Sequence, residues 1–530
     1  MGLITPKIDK SYWQNLILDS EDLENITTVL LDYGRPLSID SLLRSLITLR
    51  ISRESENEAK QKESMGQIYI PKEKYFVDDD LVFHALGWES GKVVSVRDGK
   101  NPEFGVFSVL EVKMTDGNSR QFASELSKHD LNNPSSEKKE QNNLDVDEIL
   151  KESKSILESK LITKLEQEKE IVRVGDKWFP KSLLVDFNQG HLNIAEALLD
   201  MQNGGPLGSA ELLTQMDISL SDDIELNEFS LNYALKKDRR FDEVGTSGTF
   251  TWFLRKQEPE PVREIPLFLK FDFDEEQIIE LPKSADSILQ TIDDELEAGN
   301  QLYNSEKVNS TSITLIYPHW RTGSLPLNQR TRSIFPSAME TERIKIKMID
   351  KDNEQEISGW VVRPFGYVYG LENWYKEKEL IPGSIINIET SSEPGSIFIQ
   401  VQKRRSNREW IKTVLVGADG GIVIALLKQP VSAGFQEQMA IVVPDVSAMD
   451  LIWKARSTKV RTIKADVLKM VQELSKLNAQ RHVHFTELYS AVNLLRRCPP
   501  TPILHVLFSE PEFSHVGDQY FHLNETEYKE

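Results

Sequence analysis

One spacing occurs three times in this chain: an apolar residue, three others, Leu, two others, an acid, two others, an apolar plug, two others, then Val-Gly and an aromatic pair. The copies are Leu161, Leu165, Glu168, Ile171, Val174-Gly175, Trp178-Phe179; Leu231, Leu235, Asp238, Phe241, Val244-Gly245, Trp252-Phe253; and Ile503, Leu507, Glu510, Phe513, Val516-Gly517, Tyr520-Phe521. Apolar residues four apart share one helix face, and the acid falls where that helix ends. Val-Gly opens a tight turn, and the aromatic pair returns along a second strand. The pattern therefore predicts a helix followed by a β-hairpin. Its irregular recurrence predicts one module used several times rather than a solenoid.

A second repeat supplies the front of the module. Gly34-Arg-Pro-Leu37 before Leu42-Leu43 matches Gly204-Gly-Pro-Leu207 before Leu212-Leu213, each after an amphipathic stretch (Leu23 to Leu31; Leu192 to Leu199). Glycine stops the first helix, Pro-Leu turns the chain, and Ser38 or Ser209 can cap the next helix. Helix, turn, helix, helix and hairpin is the order of a winged helix-turn-helix. The region 187–256 holds all of it, and 464–525 holds it with a degenerate turn at Gln480 to Val483. The N-terminal copy is split, with helices at 20–52 and its closing helix and wing at 146–180. These residues, Asp238-x-Arg-Phe241 with Val244-Gly245 and Trp252 above all, resemble the HARE-type winged helix, also found in the delta subunit of bacterial RNA polymerase. The resemblance covers roughly half the chain and implies a fold more strongly than a partner.

Two β-rich stretches lie between these parts. In 68–126, Tyr75-Phe-Val77 leads through Asp78-Asp79-Asp80 to Leu81-Val-Phe83, and Asp98-Gly99, Asn101-Pro102 and Asp116-Gly117 punctuate further strands. This predicts a small barrel of about five strands. Contiguous carboxylates on an extended chain point to alternate faces, so the triple Asp reads as a turn before it reads as a metal site. In 311–415, Arg343-Ile-Lys-Ile-Lys-Met-Ile349 alternates as a half-buried strand and Asp352-Asn353 turns it. Ser324-Leu-Pro-Leu327, Ile334-Phe-Pro336, the Trp360 strand, Tyr367-Val-Tyr369-Gly370, Trp374-Tyr375 and Leu380-Ile-Pro-Gly383-Ser-Ile-Ile386 follow in an order similar to the plant-type DNA-binding pseudobarrel. That resemblance implies groove-facing basic residues, at Arg330, Arg332 and Arg363 by position. Ser384, where the family carries Asp, and the insertion Ser391 to Ser396 depart from it, and a generic β-barrel is the alternative.

The expected class is α+β and multidomain: three winged helix-turn-helix modules interspersed with two small β-barrel-like domains. The expected boundaries are a split first winged helix over 1–67 and 140–186, a barrel insertion over 68–130, and a second winged helix over 187–262. An acidic linker or helical region over 263–310, a β-rich pseudobarrel-like domain over 311–453 and a third winged helix over 454–530 complete it. A chain of 530 residues is long enough for several cores, since single cores seldom exceed roughly 250–300 residues. The lone cysteine, Cys498, excludes a disulfide framework and a cysteine-based zinc site. No apolar run reaches membrane-spanning length, no signal-peptide core opens the chain, and Pro6 breaks the myristoylation pattern begun by Met1-Gly2. A soluble cytoplasmic protein is expected.

A net charge of −21 opposes nucleic-acid binding, which Lys and Arg carry. Acid is concentrated in Glu137 to Glu170 and Asp272 to Glu297, both expected as linkers, while base clusters elsewhere, and local field decides docking. The candidate DNA contacts are Asn232, Lys236, Lys237, Arg239 and Arg240 at the end of the second module's last helix, with the loop Thr246 to Thr249 as its wing. Arg330, Arg332 and Arg363, and Lys403, Arg404 and Arg405, are the further candidates; for each cluster, pairing with nearby acids is the competing reading.

No Gly-x-Ser-x-Gly elbow presents a nucleophile. Gly417-Ala-Asp-Gly-Gly421 lacks the Lys and Ser/Thr of a phosphate loop and reads as a hairpin turn. His482-Val-His484 lacks a third ligand, and Pro444-Asp445 lacks the second acid and Lys of a nuclease. The expected protein has no catalytic residues, cofactor or metal, and its partner is double-stranded DNA. The alternative is an interaction scaffold whose winged helices bind protein, such as RNA polymerase or another component of the transcription machinery.

Overall fold

The computed structural model describes residues 10–64, 67–87, 89–132, 145–246, 248–271, 281–297, 308–338, 341–417, 420–458 and 461–524. Among the described residues helix makes up 39% and strand 27%, in several separate sheets, so the class is α+β. Two compact units divide the chain, Met1–Val185 with Asp223–Phe229, and Asp186–Asp222 with Ser230–Glu530.

The same three-stranded sheet is built three times. In each, the second strand of a hairpin lies in the middle, flanked by the first hairpin strand and by a short strand that precedes a helix. Hairpin Ile171–Val174 with Lys177–Pro180 takes Leu37–Ser38, hairpin Phe241–Glu243 with Thr251–Leu254 takes Leu207–Gly208, and hairpin Phe513–Gly517 with Tyr520–Leu523 takes His482–His484. The register repeats as well, with Leu37 opposite Trp178, Leu207 opposite Trp252 and Val483 opposite Phe521, each two residues before its helix begins. Trp178 and Trp252 are buried, whereas Tyr520 is 40% exposed and Phe521 fills the core. Phe521, and not the Tyr520 that the repeated spacing aligns with Trp178 and Trp252, is therefore their structural counterpart. A register shift between His515 and Gly517 accompanies the difference.

In the first unit, helices Ser20–Tyr33, Ile39–Ser64 and Val146–Glu166 share one core with Trp178, in which Leu42, Leu43, Leu161 and Leu165 have no exposed surface. Asp19 caps the first helix reciprocally with Asp22, and Gly34 at φ +62° ends it. Buried Asp22 also takes the Arg50 guanidinium, Nε to Oδ1 at 2.7 Å. The acidic stretch 137–170, expected as a linker, contains this third helix. Ile149, Leu150, Leu157, Leu161 and Leu165 give it a buried stripe, and its carboxylates face outward; residues 137–144 lie outside the described part.

Strands Gln67–Ile68, Asp80–Phe83, Glu89–Asp98, Ser108–Met114 and Ser119–Ser124 form a five-stranded sheet in chain order, around Tyr69, Tyr75, Phe83 and Val112. Asp79 accepts the backbone N–H of Phe76 at 2.7 Å, and Asp78 has φ +79°. The triple Asp is a turn.

In the second unit, a nearly closed seven-stranded sheet runs in the order Ser310–Thr314, Ile385–Thr390, Ser396–Val401, Arg343–Asp350, Glu356–Val362, Tyr367–Tyr369, Ser324–Pro326. Every second residue of Arg343–Asp350 is buried, as its alternation predicts. The stretch 311–453, read above as one β-rich domain, carries a second sheet. Lys403–Val416 and Ile422–Ala433 form a long antiparallel ribbon with Ile441–Val442 on its inner edge. Val414, Ile422 and Ile424 of the ribbon enter the core of the C-terminal module with Val467, Leu488 and Ile503.

Candidate nucleic-acid interface

The last helix of the second module, Ile224–Lys237, ends in the basic residues expected to meet DNA. Asn232 does not stand with them. It is 2% exposed, donates to Ser209 Oγ at 3.3 Å, and accepts the Trp252 indole N–H at 2.8 Å. The buried stripe is wider than Leu231 and Leu235 and takes in Ser230 and Asn232. An indole N–H in a core needs an acceptor, and this asparagine provides it. Its role is internal, which corrects the expectation.

Arg240 is also committed to structure. Its guanidinium meets Asp238 at 2.7 Å, Glu196 at 2.5 Å and Asn193 at 2.9 Å, and Glu196 holds Lys256 at 3.1 Å as well. The Asp238 hydrogen bond, followed by that from Glu196, keeps the guanidinium charged and holds helix Gln189–Met201 to the turn at 238. Lys236, Lys237 and Arg239 remain exposed; Lys237 Nζ lies 4.3 Å from the Tyr233 ring, and Arg239 has no acidic partner among the described residues.

The hairpin expected to act as a wing is fastened at its base. Strand Ser396–Val401 pairs with Arg343–Asp350 only from Lys347 onward, which leaves the first residues of that edge open. The Lys345 N–H donates there to the Val244 carbonyl at 3.0 Å, and the Thr341 hydroxyl donates to the Glu243 carbonyl. Lys345 Nζ sits 4.4 Å from the Phe253 ring, with its pKa lowered by burial. Beneath, Arg343 meets Asp242 at 3.0 Å and Glu258 at 3.7 Å. Burial and then the charge of Asp242 push the Glu258 carboxyl up to about 8, against the pull of Arg343. Only Gly248 and Thr249 at the tip are exposed, and Ser247 lies outside the described residues.

The three candidates on the seven-stranded sheet separate. Arg330 is exposed, with Nε 3.7 Å from Asp293. Arg332 donates to the Leu327 carbonyl at 3.0 Å, and Arg363 donates to the Pro336 carbonyl. Both are half-buried and brace the loop from 327 to 336. Burial, then the charge of Arg332, lowers the Arg363 pKa. These two arginines do not form a groove-facing set.

The ribbon presents the strongest basic surface. Lys403 pairs with Asp352 at 2.9 Å, and Arg404 pairs with Glu409 at 2.8 Å and lies 4.5 Å from the Phe435 ring. Arg405 and Arg408 are exposed with no acidic partner among the described residues. Trp410, 65% exposed, stands directly opposite Lys428, whose Nζ is 5.5 Å from its ring. Arg408, Trp410 and Lys428 share a face because strand residues two apart, and cross-strand partners, point the same way. Lys412, next on that face, is buried against Glu487 at 2.9 Å. The ribbon is thus anchored at both ends, through Val414, Ile422 and Ile424 near its turn and through Ala433 in the core of the seven-stranded sheet, and its exposed cations lie along the stretch between. Trp410 and Lys428 escaped the sequence reading; the alternation Arg408-x-Trp410-x-Lys412 was the available signal.

One arrangement has the composition of a nucleophilic triad. His319 lies 2.8 Å through Nδ1 from Ser324 Oγ and 2.9 Å through Nε2 from Glu295. Ser324 has no exposed surface, so its oxygen cannot reach a substrate. The chain continues from Glu295 to Arg497, and Arg497 also binds Asp294, which accepts the Tyr489 hydroxyl. The acidic stretch 272–297, expected as a linker, therefore places Asp294 and Glu295 in the interior; residues 272–280 lie outside the described part. Cys498 is buried and its thiol is pushed up to about 12 by burial, which keeps it unreactive. Among the described residues no group of His, Cys, Asp and Glu is placed to hold a metal ion, and no helix is long and apolar enough to cross a membrane. No known protein family, curated protein or solved structure matches this chain, so its own geometry is the ground for a functional reading.

Proposed function

We propose that this chain is a non-enzymatic, cytoplasmic nucleic-acid-binding protein, regulatory or architectural, whose ligand is double-stranded DNA. The observation that carries the reading is the exposed basic stretch of the ribbon between its two anchored ends. Arg408 and Lys428 share a face with the exposed Trp410, Arg405 is exposed nearby in sequence on a chain of net charge −21, and acidic partners of the two arginines are absent among the described residues. A two-stranded ribbon fits the major groove, and cations flanking it neutralise phosphates. The helix and hairpin modules support the same reading, as winged helix-turn-helix units akin to the HARE type, with Lys236, Lys237 and Arg239 as a second, weaker contact. Several weak contacts on one chain add through effective concentration.

Binding of the purified protein to random duplex DNA, followed by fluorescence anisotropy across a sodium chloride series, tests this. The parent should lose affinity steeply with salt, and Arg405→Glu/Arg408→Glu should flatten the log–log slope by about 0.9 for each phosphate contact removed. Absence of binding at low salt overturns the reading.

A second reading, an interaction scaffold, draws on the other part of the ribbon. Leu415 and Val423 form an exposed cross-strand pair, and Leu426 and Leu427 are exposed on the outer strand. Unpaired apolar strand edges attract protein partners. A variant at Arg405 and Arg408 that keeps full DNA affinity while Leu426→Lys abolishes association with a protein partner would favour it.

A further inference from the structure

A cleft of about 690 Å³ opens beside helix Val446–Ser457, lined by Lys270, Arg456, Arg461, Arg496 and Arg497 with Asp466 as its single acid among the described residues. Its size lies within the range of small-molecule sites. Leu267, Phe271 and Trp453 give it an apolar wall.

Three of the cations, Arg456, Arg496 and Arg497, are held in place before any ligand arrives. Arg456 binds Asp466 and donates through Nε to the Leu495 carbonyl at 3.1 Å. Arg496 donates to the Arg461 carbonyl at 3.0 Å and lies 3.6 Å from the same Asp466. Two guanidiniums thus share one carboxylate. Lys270 and Arg461 are exposed and have no acidic partner among the described residues. At the back, Arg497 is wholly buried; Asp294 and Glu295 take its Nη2, and its Nε has no hydrogen-bond partner among the described residues. Buried donors without acceptors are uncommon and call for one. Fixed guanidiniums in forked geometry suit phosphate oxygens, and an apolar wall beside them suits a planar base.

We propose that this cleft binds a phosphorylated nucleotide, free or as the phosphorylated end of a DNA strand. Lys270 and Arg461, with no acid of their own among the described residues, and Arg496, which shares Asp466 with Arg456, favour an anion, and the aromatic wall separates this ligand from inorganic phosphate.

Titration calorimetry of the full chain provides the test, with ATP, a 5′-phosphorylated hexathymidylate and its 5′-hydroxyl counterpart as probes. Lys270→Glu/Arg461→Glu alters only exposed side chains and should keep the parent's thermal midpoint. It should lose at least tenfold in affinity for whichever phosphorylated probe the parent binds, while the charge-matched pair Lys100→Glu/Lys113→Glu retains it. Binding of ATP alone identifies a free nucleotide; preference for the phosphorylated over the hydroxyl strand identifies an end. Absence of binding to every probe, or equal losses in the two variants, overturns the proposal. Duplex binding by internal phosphates, read from the salt slope, should be the same in Lys270→Glu/Arg461→Glu as in the parent, so failure here and failure of the ribbon reading are separate results.

Discussion

The second and third modules follow one spacing and end in helices of opposite character. Ile224–Lys237 closes on exposed Lys236 and Lys237, whereas Pro500–Ser509 buries Ile503, Leu504, Val506 and Leu507 in a core shared with Val414, Ile424 and Trp453. The repeated positions, Leu231 and Leu235 against Ile503 and Leu507, serve each module's own interior. The positions between them decide whether the helix also faces water or another layer of protein. A motif made of core and turn residues therefore transmits a fold without transmitting a use.

The largest test of this contrast is Leu504→Asp. The side chain has no exposed surface, so an unpaired carboxylate there should destabilise the chain by about 3–5 kcal/mol in urea unfolding. A loss below about 1 kcal/mol would show that this helix is not a packed layer and would erase the contrast. Asn232→Ala comes next. Stranding the Trp252 indole should cost about 1–3 kcal/mol, while the salt slope for DNA stays at the parent value; a flattened slope would return Asn232 to the interface.

Glu258→Gln probes the joint beneath the wing. The folded carboxyl, raised to about 8, lies above its ordinary value of 4.5, so the folded state binds the proton more tightly than the unfolded state. Stability from this group is then present below pH 4.5 and lost as pH rises through 8. Glutamine should remove that decline and stabilise the protein at pH 9 by about 1–2 kcal/mol, a figure reduced for solvent screening and for Arg343. Identical pH profiles for the two proteins would show that the carboxyl titrates alike in the folded and unfolded states. The smallest effect belongs to Lys237→Gln/Arg239→Gln, which should shift stability by less than about 0.5 kcal/mol. In the DNA titration it should flatten the slope by less than Arg405→Glu/Arg408→Glu does. The reverse order would make the helix end, rather than the ribbon, the main contact.

What the sequence discloses and what it conceals divide along the range of the interactions. The hairpins at 171–180, 241–254 and 513–523, and the strand Arg343–Asp350, are legible because turn residues and neighbours two to four apart determine them. The burial of Asn232 depends on Trp252, twenty residues away, and the burial of Asp294 on Arg497, 203 residues away. No local pattern announces either. The acidic helix Val146–Glu166 shows a subtler failure: composition marks a solvated linker, while its apolar stripe marks a packed helix, and the stripe prevails because burial sets the helix's place. Among the candidate contacts, charge alone did not separate Arg240, Arg332 and Arg363, which brace loops and helix ends, from Arg405, which does not.

The tie between Arg497 and the pair Asp294 and Glu295 has a consequence in time. The carboxylates leave the ribosome some 200 residues before their counter-ion, an interval of about 10–40 s at ordinary elongation rates of roughly 5–20 residues per second. Until then they stay hydrated, because sealing two uncompensated charges away from water is unfavourable. The interior around Tyr489 and His319 must therefore close only after Arg497 has emerged. A nascent chain arrested before residue 497 should leave that region open to protease, and emergence of Arg497 and the segment around it should close it.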